Sequence, residues 1–321
     1  MAVRPQLDWQ VGHATSLEIA GAARVRQYQR RYGDFVTGRV DANIRHRDSE
    51  YLSLHGTLGY VRELPTDALT GSLDAVFETR SVRETQSARF FADWSPDAVT
   101  TVNSGIGAIR TRYPGSSLLQ TTKAYDFSIG LAKRLSARTT VGIQGQVAVS
   151  QGDELGSRTA KTLQLTATRR LDETWRADIR AGVEWAGMAD PFDGGRGRER
   201  PRFTGSGTLC NESVRFMLCL AAALRSEVSA LTGLRREWTL GADADWRLSE
   251  YGTLTLTGDY RKASGGPMPI DLFRLSAAYE HRLSQRFSLK GGVDYLRRSQ
   301  VGDDRIGATI AHVTLTFRGF R

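Results

Sequence analysis

Residues 174–185 read "TWRADIRAGVEW". Trp175, Ala177, Ile179, Ala181, Val183 and Trp185 take every second place. Arg176, Asp178, Arg180, Gly182 and Glu184 take the places between. Successive side chains of an extended strand point to opposite faces. The segment therefore has an apolar face with tryptophan at both ends, and a face with full charges along its middle. Residues 238–247, "WTLGADADWR", repeat the pattern: Trp238, Leu240, Ala242, Ala244 and Trp246 stand opposite Thr239, Gly241, Asp243, Asp245 and Arg247. So do "FRLSAAYEHR" (273–282), "FSLKGGVDY" (287–295) and "TVGIQGQVAV" (140–149). A period of two predicts strands, not helices.

A soluble sandwich would turn the apolar faces inward. Three features oppose it. The alternating runs are about ten to fourteen residues long, whereas soluble strands peak near five or six. The apolar faces are rich in Ala and Gly and make a poor interlocking core. Aromatics recur near strand ends, as in Trp175, Trp185, Trp238, Trp246, Phe273, Phe287 and Tyr295. A transmembrane barrel accounts for all three. Its strands need about 9–11 residues, its outer face need only dissolve in lipid, and its aromatics form girdles. Closure also removes sheet edges, which lipid does not tolerate.

The expected fold is therefore all-β: a transmembrane antiparallel up-and-down β-barrel with a polar lumen, in one domain over 1–321. Strands fall near 5–14, 18–31, 35–47, 50–63, 68–82, 86–95, 99–113, 122–134, 138–150, 159–170, 174–187, 203–211, 214–226, 235–247, 252–263, 271–282, 286–299 and 306–317. That is eighteen strands, with sixteen and a leading periplasmic segment as the alternative. The longest wholly apolar run, 216–224, has nine residues, against about 20 for a membrane-spanning helix. The start, "MAVRPQLDWQ", has no apolar signal core. It suits either a cytosolic protein or a mature form with a start Met added. A net charge of +9 invites an acidic partner.

Four turns nearly repeat: "KRLSART" (133–139), "RRLDETW" (169–175), "WRLSEYG" (246–252) and "HRLSQRF" (281–287). Alternation puts Arg134, Arg170, Arg247 and Arg282 on the polar face, and Leu135, Leu171, Leu248 and Leu283 at the membrane interface. These short connections suit periplasmic turns, and the longer ones suit outer loops. The arginines either pair with lumen acids such as Asp126, Asp243, Asp245 and Glu280 or cap turn carbonyls, or they form an electropositive collar for a polyanionic chain. Arg176, Arg180, Arg274 and Lys290 continue the polar face as substrate-path candidates. The longest outer loop, 187–202, carries Arg196, Arg198, Arg200 and Arg202 beside Asp190 and Asp193.

In "GTLCNESVRFMLCL", Cys210 and Cys219 both take polar-face places, each about 4.5 residues from a turn centred on Val214 and Arg215. Directly opposed antiparallel residues have Cα atoms about 4.5 Å apart, within disulfide range. A disulfide in an oxidising compartment is expected; two unpaired small hydrophobes are the alternative.

This cysteine hairpin, the "GLR" that follows the next loop, and "WRLSEYGTLTLTGDYRKAS" together resemble the outer-membrane β-barrels encoded with sphingan-type exopolysaccharide assembly and export systems. The resemblance covers the last 120–180 residues; earlier strands match only in pattern, and members often carry a longer N-terminal segment. It implies passage, or help to passage, of a polysaccharide across the bacterial outer membrane, with no catalytic residue carried over. The implied partners are outer-membrane lipid, an anionic polysaccharide and periplasmic export components.

Other classes find little support. His13, His46, His55, His281 and His312 show no metal spacing, no Ser–His pair is singled out, and "GSGTLC" lies in a strand, not a phosphate-binding loop. No metal, cofactor or chemistry is expected. The basic residues alternate with apolar ones and form no patch with stacking aromatics, which argues against nucleic acid. The expectation is a passive channel for an extracellular polysaccharide. The alternatives are a general diffusion porin, whose long loop 187–202 would fold inward, and a structural barrel that anchors partner proteins.

Overall fold

The computed structural model describes residues 2–3, 5–28, 33–64, 82–116, 119–152, 156–187, 200–229, 233–264, 270–300 and 306–317. Among these there is no helix, and nearly everything is strand. In order the strands are β1 (Ala2–Val3), β2 (Gln6–Val11), β3 (Thr15–Tyr28), β4 (Gly33–Arg47), β5 (Leu52–Glu63), β6 (Arg83–Trp94), β7 (Thr100–Arg112), β8 (Thr122–Ser136) and β9 (Thr139–Gly152). They continue as β10 (Gly156–Arg170), β11 (Trp175–Ala186), β12 (Arg200–Glu212), β13 (Phe216–Ser229), β14 (Gly233–Arg247), β15 (Gly252–Ser264), β16 (Ile270–Arg282), β17 (Phe287–Gln300) and β18 (Ile306–Phe317).

β1 and β2 are two pieces of one strand. Both pair antiparallel with β3, Ala2 opposite Arg24 and Gln6 opposite Ala20. Pro5 separates them; it has no amide to donate, but its carbonyl accepts from Gly21 N at 2.8 Å. The described residues thus hold seventeen long strands, one fewer than the alternation suggests. The expected strand over 68–82 falls almost wholly outside the described residues. Still, β5 pairs directly with β6, Leu52 opposite Trp94 through Glu63 opposite Arg83, so no strand stands between them. Alternation reports a local tendency to extend; pairing is a non-local choice it does not contain.

The chain divides into two compact units. The first comprises 1–166, 182–203 and 226–235, and its ladders run consecutively from β2–β3 to β8–β9. The second comprises 167–181, 204–225 and 236–321. It contains the β12–β13 hairpin and the β14–β15–β16–β17–β18 meander. All of these pairs are antiparallel.

In both units the usual burial order is reversed. Trp9, Leu58, Ile106, Leu165, Phe203 and Val313 are all well exposed. The largest fully buried side chains are Arg235 and Glu237, each at 0% exposure. A protein folded for water does not hide its arginines and display its leucines. All six tryptophans, Trp9, Trp94, Trp175, Trp185, Trp238 and Trp246, fall on the apolar faces.

The repeated turns share one device. Asp172 Oδ1 accepts the amides of Thr174 and Trp175 at 2.8 and 2.7 Å. Ser284 Oγ accepts those of Arg286 and Phe287 at 3.2 Å each, and Ser249 Oγ accepts that of Tyr251 at 3.2 Å. Ser136 Oγ accepts the Arg138 amide at 3.2 Å. A Ser or Asp that bonds the backbone two or three residues ahead closes such a turn locally. Asp97 does the same without the R-L motif, accepting from Val99 and Thr100 at 2.8 and 2.6 Å. Those two amides hold its carboxyl below the usual carboxylate range.

Candidate functional site

The polar faces carry most of the structured charge. In the second unit Arg274 Nη2 donates to Asp294 Oδ1 at 3.0 Å across β16–β17. Ser276 Oγ donates to the same carboxylate oxygen, and His312 Nδ1 on β18 lies 3.5 Å from Oδ2. Gly292 stands opposite His312, and a Cβ there would meet the imidazole at 2.7 Å, so glycine makes room for the ring. Lys290 sits opposite Glu280. Arg261 Nη1 lies 3.1 Å from the buried Glu237, and Arg176 Nε lies 3.0 Å from Asp178, which also accepts from Thr168. Arg180 is exposed on the same face as Arg176.

In the first unit Arg45 stands opposite His55, and Arg47 opposite Ser53. Asp93 faces Ser53 from β6. Together with Gln10 and Ser16 these side chains line a cavity of about 430 Å³ beside the tight turns. Further along, Arg83 pairs with Glu63 at 3.2 Å and Arg39 pairs with Asp41. Glu184 is 4% exposed and accepts both the amide and the hydroxyl of Ser226. A carboxyl group so buried requires hydrogen-bond partners of this kind.

Arg134 belongs to the first unit, and Arg170, Arg247 and Arg282 to the second. All four side chains are exposed at strand ends. Their main chain is engaged: Arg134 N donates to Val99 O at 2.7 Å, Arg247 N to Arg215 O at 2.8 Å and Arg282 N to Tyr251 O at 2.7 Å. Among the described residues none of the four makes an ion pair. Asp245, an expected partner, accepts from Thr255 Oγ1 at 2.6 Å instead. Leu135, Leu171, Leu248 and Leu283 are exposed, as the alternation requires.

Arg47 is a fifth member that the motif search missed. "HRDSEYL" (46–52) shares Arg, Ser, Glu and Tyr with "WRLSEYG" and has Asp48 where that stretch has its leucine. Arg47 N donates to Ala14 O at 2.9 Å, and Ser49 Oγ accepts from Leu52 N at 3.1 Å. A search that ignored the leucine would have found it.

Arg196 and Arg198 lie outside the described residues, as does most of the 187–202 loop, including the part that would separate a porin from other barrels. Arg200 and Arg202 open β12, Arg200 exposed and Arg202 half-buried. Cys210 and Cys219 are directly opposed on β12–β13 and form a disulfide, with Cα atoms 4.1 Å apart. Among the described residues no group of three or more His, Cys, Asp or Glu is arranged to hold a metal.

No protein-family model matches this sequence, and no curated protein does. Solved structures are similar. The ferric enterobactin receptor of Pseudomonas aeruginosa superposes over 99% of this chain and 70% of its own, with TM-score 0.54 at 8% identity. The ferric-catecholate import receptor Fiu of E. coli K12 covers 99% of this chain and 72% of its own, at 0.51 and 10%. The FrpB iron transporter of Neisseria meningitidis covers 93% of this chain at 0.52 and 8% identity, and this chain spans 61% of its length. At such identities the likeness shows the fold alone, an all-β antiparallel up-and-down barrel architecture.

Proposed function

We propose that this chain is a β-barrel of the bacterial outer membrane that serves as a passive path for an anionic extracellular polysaccharide. One observation carries the membrane part: apolar side chains are exposed along both units while Arg235 and Glu237 are fully buried. Trp238 and Trp246 bound the apolar face of β14. At about 3.4 Å per residue they stand roughly 27 Å apart along the strand; at a tilt of about 40° that covers roughly 21 Å of an apolar band about 25 Å tall, which sets the two rings just inside its edges. The fold shared with import receptors supports a transport role. Those receptors bind iron chelates, and nothing in the sequence selects that cargo here.

The polymer is supported by the sequence resemblance and by the polar faces. Arg45, Arg47, Arg134, Arg170, Arg247 and Arg282 present cations near the tight turns. Partly unpaired cations in each unit gather a polyanion without gripping it, because exposed charges are screened by water and salt. Loose holding suits a path. No spacing in the sequence singles out a nucleophile or a metal set, and the proposed path is passive.

The test is single-channel conductance in planar bilayers at low salt, with acidic and neutral polysaccharides added on the tight-turn side. The reading expects anion preference and reversible block by the acidic polymer alone. Equal block by both polymers, or response only to a ferric catecholate, would refute the cargo assignment. A reconstituted protein that passes no current would favour the anchoring barrel.

A further inference from the structure

We propose that the apolar face of the first unit holds one acidic, phosphorylated lipid of the surrounding leaflet, its phosphate on Arg110 and Lys123 and an acyl chain in the groove beneath them. This inference rests on the membrane reading above.

The groove measures about 700 Å³, within the range of about 300–1,000 Å³ typical of ligand sites. Its floor consists of small residues from neighbouring strands: Ala42, Gly56, Ala88 and Ala108. The ladders bring these positions together, with Ala42 opposite Leu58, Leu58 opposite Ala88, and Ala88 opposite Ala108. Ile44, Leu58, Phe90, Ile106, Tyr125 and Phe127 form the walls, and each of these is at least 46% exposed. The walls rise on an exposed face, so the slot is open to whatever surrounds that face. In a bilayer that is an acyl chain.

The chemistry at the loop end of the groove narrows the choice of lipid. Arg110 lies two places beyond Ala108 on the same face, and Lys123 two places before Tyr125. The β7–β8 register sets Arg110 directly opposite Lys123. Like charges opposed across a ladder destabilise it, and on a face meeting lipid the repulsion is less screened. No acid relieves it among the described residues. Glu84 is engaged by Arg62 at 3.2 Å, and Arg112, opposite Glu84, adds another cation. The rim thus sets Arg62, Arg110, Arg112 and Lys123 against one carboxylate. Arg110 Nε is buried and has no hydrogen-bond partner. A phosphate between Arg110 and Lys123 would offset the repulsion and accept from that nitrogen. Guanidinium and phosphate suit one another through charge-assisted hydrogen bonds. A free phosphate would use the cations and leave the groove empty. A polymer on the polar face would reach neither.

The experiment uses the full chain purified in nonionic detergent. Native mass spectrometry would follow binding of an acylated diphosphoryl glucosamine disaccharide, its dephosphorylated form, and inorganic phosphate. The expected result is retention of the phosphorylated lipid, about tenfold or greater weakening in the Arg110→Gln/Lys123→Gln variant, and no retention of the dephosphorylated form. Ala88→Leu/Ala108→Leu, which fills the groove and leaves the charges, should weaken binding to a similar degree. Millimolar inorganic phosphate should not displace the lipid. Unchanged binding in the Gln variant would overturn the proposal. Displacement by inorganic phosphate alone would overturn it too, by making the site one for free anions. A protein that folds in detergent and holds no lipid contradicts this inference only; one that folds and stays soluble without detergent contradicts the membrane reading.

Discussion

Cys210 and Cys219 face each other directly across the β12–β13 hairpin, joined by a disulfide nine residues apart in sequence. The ladder on either side, from Gly205 opposite Leu224 to Glu212 opposite Met217, already fixes their approach. Closing so short a loop removes little freedom from the unfolded chain, about 2–3 kcal/mol at most in the chain-entropy treatment. Material folded through the periplasm should show no free thiol before or after denaturation. A Cys210→Ser/Cys219→Ser variant should keep its folded gel mobility and lose only a few degrees of thermal stability. Two titratable thiols in oxidised material would refute the pairing.

Asp294 on β17 gathers Arg274 and Ser276 from β16 and His312 from β18. Asp294→Ala leaves Arg274 without its carboxylate on a part-buried face and should destabilise the protein by about 1–3 kcal/mol. Asp294→Asn keeps the shape and should recover part of the loss. Urea unfolding in detergent measures both, and identical stabilities for Ala and wild type would show the cluster to be idle.

The turn device gives a local prediction. Asp172→Ala deletes the acceptor for the Thr174 and Trp175 amides, and should cost about 0.5–1.5 kcal/mol. Leu171→Ala in the same turn should cost less, because Leu171 is already half exposed. Hydrogen exchange at Thr174 and Trp175 reads the difference.

Asp97 supplies a pH prediction. Its folded carboxyl titrates below the ordinary value because the Val99 and Thr100 amides bond the charged form. The stabilisation is therefore fully present above the unfolded carboxylate range, and is lost as pH falls through the lower folded value. Asp97→Asn removes that contribution at neutral pH, so the variant should be the less stable of the two there, with a flatter acid limb and the two proteins converging in acid. An acid limb identical to wild type would remove Asp97 from the account.

Much of the fold was legible from alternation. In β11 and β14 the apolar and charged faces follow residue by residue, and Trp175 and Trp246 mark strand ends, whereas Trp238 lies five residues inside β14. The pairing of β5 with β6 was not legible, because the alternation in 68–82 says that a segment prefers extension and nothing about which neighbour it joins. The cysteine pair was legible because turn length fixes register in a hairpin. The Arg274–Asp294–His312 cluster was not: its members come from three strands, and a two-residue slip in any ladder would give each another partner. The arginine–leucine motif drew attention to Arg134, Arg170, Arg247 and Arg282, whereas the shared work of the turns falls to the Ser or Asp. In that sense Ser49 and Arg47 belong to the same series.

The claim that the apolar faces meet lipid is tested most directly by tryptophan quenching. All six tryptophans lie on those faces. The protein is folded into bilayers whose acyl chains carry bromine at defined depths, and its fluorescence is compared with that in unbrominated bilayers. The account predicts strong quenching, greatest for bromine near the interfaces because Trp9, Trp94, Trp175 and Trp246 lie toward the turn ends of their strands and Trp185 and Trp238 toward the loop ends. A folded protein whose tryptophans are quenched by aqueous iodide and not by brominated lipid would contradict it.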